Sequence, residues 1–143
     1  MRAGSLVATL ALAFVTAACG DDTPTSPSSS STTTSTSTVT FAGTLSVGGA
    51  RFYSFTNLES GSVTALLASV AGADTRLPLA VPLEIGIGIP AGTGCATSLT
   101  QLVSPGLVSQ MTVTLAAGTF CLRVADAGEL RVPVSFAVRF THP

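Results

Sequence analysis

Lysine and tryptophan are missing from this chain, tyrosine and histidine occur once each, and charged residues make up 9% of it. Each shortage closes off a class of function. The six basic residues are all arginine and face seven carboxylates, so there is no basic surface for a phosphate backbone, and nucleic-acid binding is excluded. The single histidine, His142, stands next to the last residue. Acyl-transfer chemistry needs a nucleophile, a base within reach and a group that orients the base. A base at a chain end reads instead as the solvated terminus of a last strand. No Gly-x-Ser-x-Gly elbow, phosphate-cradling loop or His-Glu-x-x-His occurs, so a hydrolase would need a site built without them. Sugar faces stack on exposed Trp and Tyr, and this chain has only Tyr53 to offer. No apolar run is long enough to span a bilayer comfortably.

The amino end carries an address. Arg2, an apolar stretch over residues 6–15, and Ala17 and Ala18 in front of Cys19 form a secretory leader that ends on a cysteine. This resembles the lipobox of bacterial lipoproteins, with Thr16 where leucine is commoner. The resemblance implies removal of residues 1–18 and acylation of Cys19, which anchors the protein in the bacterial cell envelope facing away from the cytoplasm, at the outer membrane or cell surface. Two or three acyl chains, at about 0.8 kcal/mol per buried methylene, hold a protein on a bilayer essentially for good. The alternative is plain cleavage after Ala18, which leaves a soluble secreted protein with a free thiol.

Three cysteines is an odd number for an exported chain. With Cys19 lipidated, Cys95 and Cys121 remain, and an oxidising compartment lets them form a disulfide. Two buried thiols are the competing reading. A metal site is a poor one, because no histidine stands near them in sequence. Residues 19–38 hold the lipidation site and then a Ser/Thr tract with Pro24 and Pro27, which has almost nothing apolar to bury. This stretch reads as a disordered tether, plain or glycosylated.

From Val39 the texture changes to apolar alternation broken by glycine. Val39, Phe41, Gly43, Leu45 and Val47 keep period two, Gly48-Gly49 reads as a hairpin turn, and residues 51–56 as the return strand. Further strands follow over residues 62–70 and at Leu83, Ile85, Ile87 and Ile89. In the latter, Gly86 and Gly88 occupy the opposite face, where a neighbour can come close. Pro78 and Pro82 suggest an edge or a delayed strand start. Residues 90–109 read as a long loop. Alternation returns at Met111, Val113 and Leu115, at Phe120, Leu122 and Val124, and from Val132 to Phe140. Seven or eight short strands with glycine turns between them predict an all-β, antiparallel sandwich over residues 39–143.

The runs Phe41-Ala-Gly-Thr-Leu, Arg51-Phe-Tyr-Ser-Phe-Thr, Gly61-Ser-Val-Thr-Ala-Leu-Leu and Leu115-Ala-Ala-Gly-Thr-Phe-Cys-Leu-Arg-Val resemble the bacterial pre-peptidase C-terminal (PPC) domain. That family is a small, non-catalytic, jelly-roll-like β-sandwich usually appended to secreted enzymes, so the resemblance implies a jelly-roll-like sandwich here. Here no protease precedes it. The resemblance implies a scaffold without catalytic residues, cofactor or metal. Asp126 and Glu129 flank a glycine and could share a cation, but the stronger expectation is that Asp126 accepts N–H bonds in its own turn. Tyr53 shares a face with Phe55 and reads as core with its hydroxyl at the rim, while Phe52 points the other way, toward a second sheet or solvent. Together these readings describe a non-enzymatic, lipid-anchored envelope protein whose sandwich meets an unidentified protein partner. The alternative is a carbohydrate or cell-wall ligand.

Overall fold

The computed structural model describes residues 35–143, so the leader, Cys19 and most of the tether lie outside the described residues. Eight strands run in chain order: β1 (Ser37–Leu45), β2 (Ala50–Asn57), β3 (Gly61–Gly72), β4 (Leu83–Ala91), β5 (Gly94–Val103), β6 (Met111–Leu115), β7 (Gly118–Ala125) and β8 (Val134–His142). β1 starts two residues inside the segment expected to be tether.

Antiparallel pairing joins β1 to β8, β2 to β7, β3 to β6 and β4 to β5. These four pairings describe one long ribbon whose tip is the β4–β5 turn. Two more, β3 with β8 and β4 with β7, roll the ribbon into sheets of order β1-β8-β3-β6 and β2-β7-β4-β5. The result is an all-β antiparallel sandwich, as the alternating runs predict, and its strand order is that of a jelly roll.

Rolling changes what the turns do. Gly48-Gly49 is not a hairpin, because β1 and β2 belong to different sheets and the chain crosses the sandwich there. Among adjacent strands only β4 and β5 pair directly, and that hairpin falls in residues 90–109, read from sequence as a loop. β5 was hidden because it is an edge strand: of its ten residues only Val103 is buried, so no apolar period marks it. Ile89 continues the alternation of β4 but lies beyond the overlap with β7 and is 59% exposed. Val132 is likewise exposed and outside β8.

The core lies between the sheets, where Leu45, Phe55, Val63, Leu67, Leu83, Ile85, Ile87, Met111, Leu122, Val124, Phe136 and Phe140 form one buried cluster. Period-two patterning supplies it from every long strand, which is how such a sandwich hides apolar surface and leaves Ser, Thr and Arg outside. A bulge near Ala68 shifts the β3–β8 register and lets Leu66, Leu67 and Val70 all be buried.

Because the strands reverse in turn, the loops sort to two ends. Segments 46–49, 73–82, 104–110 and 126–133 lie at one end. The entry into β1, the exit from β8 and the short connections β2–β3, β4–β5 and β6–β7 lie at the other.

Candidate functional site

Four features carry polar or covalent chemistry or exposed apolar surface. At the β4–β5 tip, Cys95 is bonded to Cys121 of β7, with Cα atoms 5.8 Å apart. β4 lies between those two strands, and in a flat sheet the Cα atoms would stand about 10 Å apart. The hairpin therefore curls over β4, and Gly88 permits it. It lies opposite both Cys121 and Thr97, and a Cβ there would sit 1.9 Å from the Ala96 carbonyl oxygen. The close approach expected at Gly86 and Gly88 is present, and it positions the disulfide expected between Cys95 and Cys121.

At the four-loop end, Asp126 ties two loops together. Its Oδ2 accepts the Gly48 N–H at 2.8 Å, and Oδ1 accepts those of Gly128, Glu129 and Leu130 at 2.8, 2.9 and 3.1 Å. The turn role read from sequence is present, together with a reach across to Gly48 that sequence does not show. These donors, Gly48 foremost, hold the carboxyl below the usual aspartate range. Glu129 contributes its backbone N–H rather than its carboxylate. No cluster of three or more metal-ligating side chains occurs among the described residues.

The same end is apolar at its tips. Val47, Leu77, Leu107, Val108 and Val132 are all exposed, Leu107 at 96%, and they put at least one bare aliphatic side chain on each of the four loops.

At the opposite end a cleft of about 300 Å³ is lined by Ser37, Thr56, Leu58, Glu59, His142 and Pro143, among others. His142 is not a frayed, solvated residue. It is half-buried, with its ring centroid 5.6 Å from that of Phe55 and 5.9 Å from that of Phe140, because β8 extends to it and pairs it with Ser37. Its Nδ1 lies 2.9 Å from the Pro143 oxygen. A serine, a histidine and a glutamate thus share one wall, but among the described residues no side-chain hydrogen bond joins Ser37 to His142 or His142 to Glu59. The relay that nucleophilic catalysis requires is not assembled.

Tyr53 is half-buried. Its ring stacks on Phe41 at 4.8 Å and its hydroxyl donates to the Ala42 carbonyl oxygen, so it is core with its hydroxyl at the rim. Burial raises its pKa, against the opposing charge of Arg51. Phe52 faces solvent at 47% exposure. Asn57 escaped the sequence reading: it is 1% exposed and neither amide atom has a partner. The signal was its parity, since it continues the inward positions Tyr53 and Phe55.

No protein-family model matches the chain and no curated protein matches it. Among solved structures, the Yersinia pseudotuberculosis-derived mitogen (YPM) aligns at 7% identity with a TM-score of 0.48, covering 75% of this chain and 86% of that one. At that level the similarity assigns neither function nor partner.

Proposed function

We propose that this chain is a non-enzymatic bacterial envelope lipoprotein, anchored through Cys19, whose PPC-like sandwich binds another protein with its four-loop end. The observation that carries the reading is the set of bare aliphatic side chains on all four loops at the end opposite the entry into β1. Exposed aliphatic side chains brought to one end of a domain fit a surface that receives a protein partner. Asp126 braces two of the four loops, which lowers the entropy lost on binding. The anchor is supported by cysteine pairing: Cys95 and Cys121 take each other, and Cys19 is left alone at the end of an export leader. A carbohydrate ligand has less support, since the loop tips are aliphatic rather than aromatic.

The test uses the full chain expressed in a bacterial host. Labelled palmitate is expected in the wild type and not in Cys19→Ala. A photo-crosslinking residue at Leu77 or Leu107 is expected to capture one protein species, while the same residue at Thr114 of β6 captures none. Equal labelling of both chains refutes the anchor. Absence of adducts from the loops, combined with glycan-array binding, refutes the protein partner.

A further inference from the structure

A jelly roll has four strand edges, and an unpaired edge is a template for another strand unless something blunts it. Three of the four are managed here. The free edge of β1 is capped from β2, with Arg51 Nε donating to the Thr44 carbonyl oxygen and Tyr53 Oη to that of Ala42. β2 carries the charge of Arg51, which disfavours docking of another strand on its free edge. β6 has only five residues, and β3 beyond it is covered by the loop that leads into β6, residues 104–110. There the Gly106 N–H bonds to the Leu67 carbonyl oxygen, the Gln110 N–H to that of Ala65, and the Leu67 N–H to Gln110 Oε1.

β5 is different. It is ten residues long, and its sequence has neither a charge nor a proline. Residues 98–102 are exposed throughout. Among the described residues no side chain or loop bonds to its free backbone edge. One β-bulge at Ser98 interrupts it and leaves the regular stretch 99–103. The charge pattern isolates this side of the molecule: no residue from 85 to 122 is charged, and β3 has none either. In the β2-β7-β4-β5 sheet, charge therefore ends at the Glu84–Arg123 ion pair and is absent from the β5 edge.

We propose that β5 pairs antiparallel with β5 of a second copy of this chain, joining two four-stranded sheets into one of eight strands across a twofold axis. A second copy fits because an antiparallel strand is its own complement about a twofold, so each N–H that stretch 99–103 turns to its free edge meets a carbonyl oxygen on its image. Most partners would bring charge to an edge that offers none in return. An identical edge brings none, so the approach carries no like-charge penalty. Leu99 and Leu102 lie on opposite faces of the strand and are 39% and 53% exposed, so each would stand beside its own image or a neighbour across the pairing. This dimer leaves the four-loop end open and does not rest on the function proposed above.

The experiment is cysteine cross-linking of the full chain in its own envelope. Single cysteines replace Leu99, Thr100, Gln101, Leu102 and Val103 in turn, with Thr40→Cys on β1 and Thr112→Cys on β6 as controls. Strand pairing predicts disulfide-linked dimers at one or two adjacent β5 positions and at neither control. Adding Thr100→Lys and Leu102→Lys should cut the dimer about tenfold, since like charges then face each other across the axis. The lysine variant must keep the Cys95–Cys121 bond, which shows that it folds. No dimer at any β5 position, equal dimer at the controls, or cross-linking to another protein overturns the proposal. A dimer of the chain without an added cysteine would come from Cys19 and refute the anchor, not the edge.

Discussion

Asp126 offers the sharpest test of how the loop end is held. Asp126→Ala removes one carboxylate that accepts four backbone N–H groups from two loops. Those groups are near the surface, so water replaces the lost partner, and each loop loses what a helix loses with its N-cap, about 1 kcal/mol. With two loops released, the expected cost is about 2 kcal/mol at pH 7. Asp126→Asn keeps a neutral oxygen for the Gly128, Glu129 and Leu130 donors and gives up the charge and the bond to Gly48, for about 1 kcal/mol. Acid distinguishes this account from a packing role. The folded-state pKa is lowered, chiefly by the Gly48 N–H, so the unfolded chain takes up the proton first as pH falls. The stabilisation is complete above the ordinary aspartate pKa of about 3.9 and is lost as pH drops through the lower folded value. Denaturant unfolding followed by circular dichroism, with the disulfide intact, should show wild type and Asp126→Asn separated at pH 7 and converging toward pH 2. A constant gap across that range, or an alanine cost under about 0.5 kcal/mol, refutes the reasoning.

The hairpin tip and the core make further predictions. Gly88→Ala puts a methyl into the backbone of Ala96 and should leave Cys95 and Cys121 as two titratable thiols, whereas Gly86→Ala meets only Thr97 and Thr100 side chains and should preserve the bond. Equal thiol counts in the two variants would show that close approach at Gly88 does not govern the curl. Reducing the disulfide, which spans 26 residues, should cost about 3.5 kcal/mol from loop entropy, read as a shift of the urea midpoint in reductant; no shift would mean the tip is held without it. Asn57→Leu should raise stability by about 1 kcal/mol, because it removes two buried polar atoms without partners, and a loss of stability would show that the amide is paired after all.

Period two was legible wherever both faces of a strand differ, and it placed β1, β3, β6, β7 and most of β4 and β8 close to their observed positions. It failed where a strand has no buried face to advertise. β5 runs along an edge with a single buried residue, and its Thr, Ser and Gln read as loop. Turn chemistry was equally ambiguous. Gly48-Gly49 and the turn at Gly92 look alike in sequence, yet one crosses the sandwich and the other closes a hairpin, because partner choice depends on strands far away in the chain. Asp126 shows the same division within one side chain: its bonds to Gly128, Glu129 and Leu130 are local and were readable, and its bond to Gly48 was not.

Sequence patterning distinguishes the faces of a strand but is silent about its edges, and in this sandwich the unusual chemistry is at the edges. Side-chain alternation is fixed by backbone geometry, so burial writes itself into every second residue. Edge protection has no such period. Arg51 and Tyr53 stand on β2 but quiet the carbonyl groups of β1, and Gln110 sits in a loop but completes the ladder beside β3. Each protective contact depends on three-dimensional neighbours, so only the assembled fold shows that β5 received none. Its lack of charge was visible from the start as a low charge count, which first served only to exclude nucleic acid. Placed on the fold, the same shortage is concentrated along one side of the sandwich, where an uncharged edge can accept another strand.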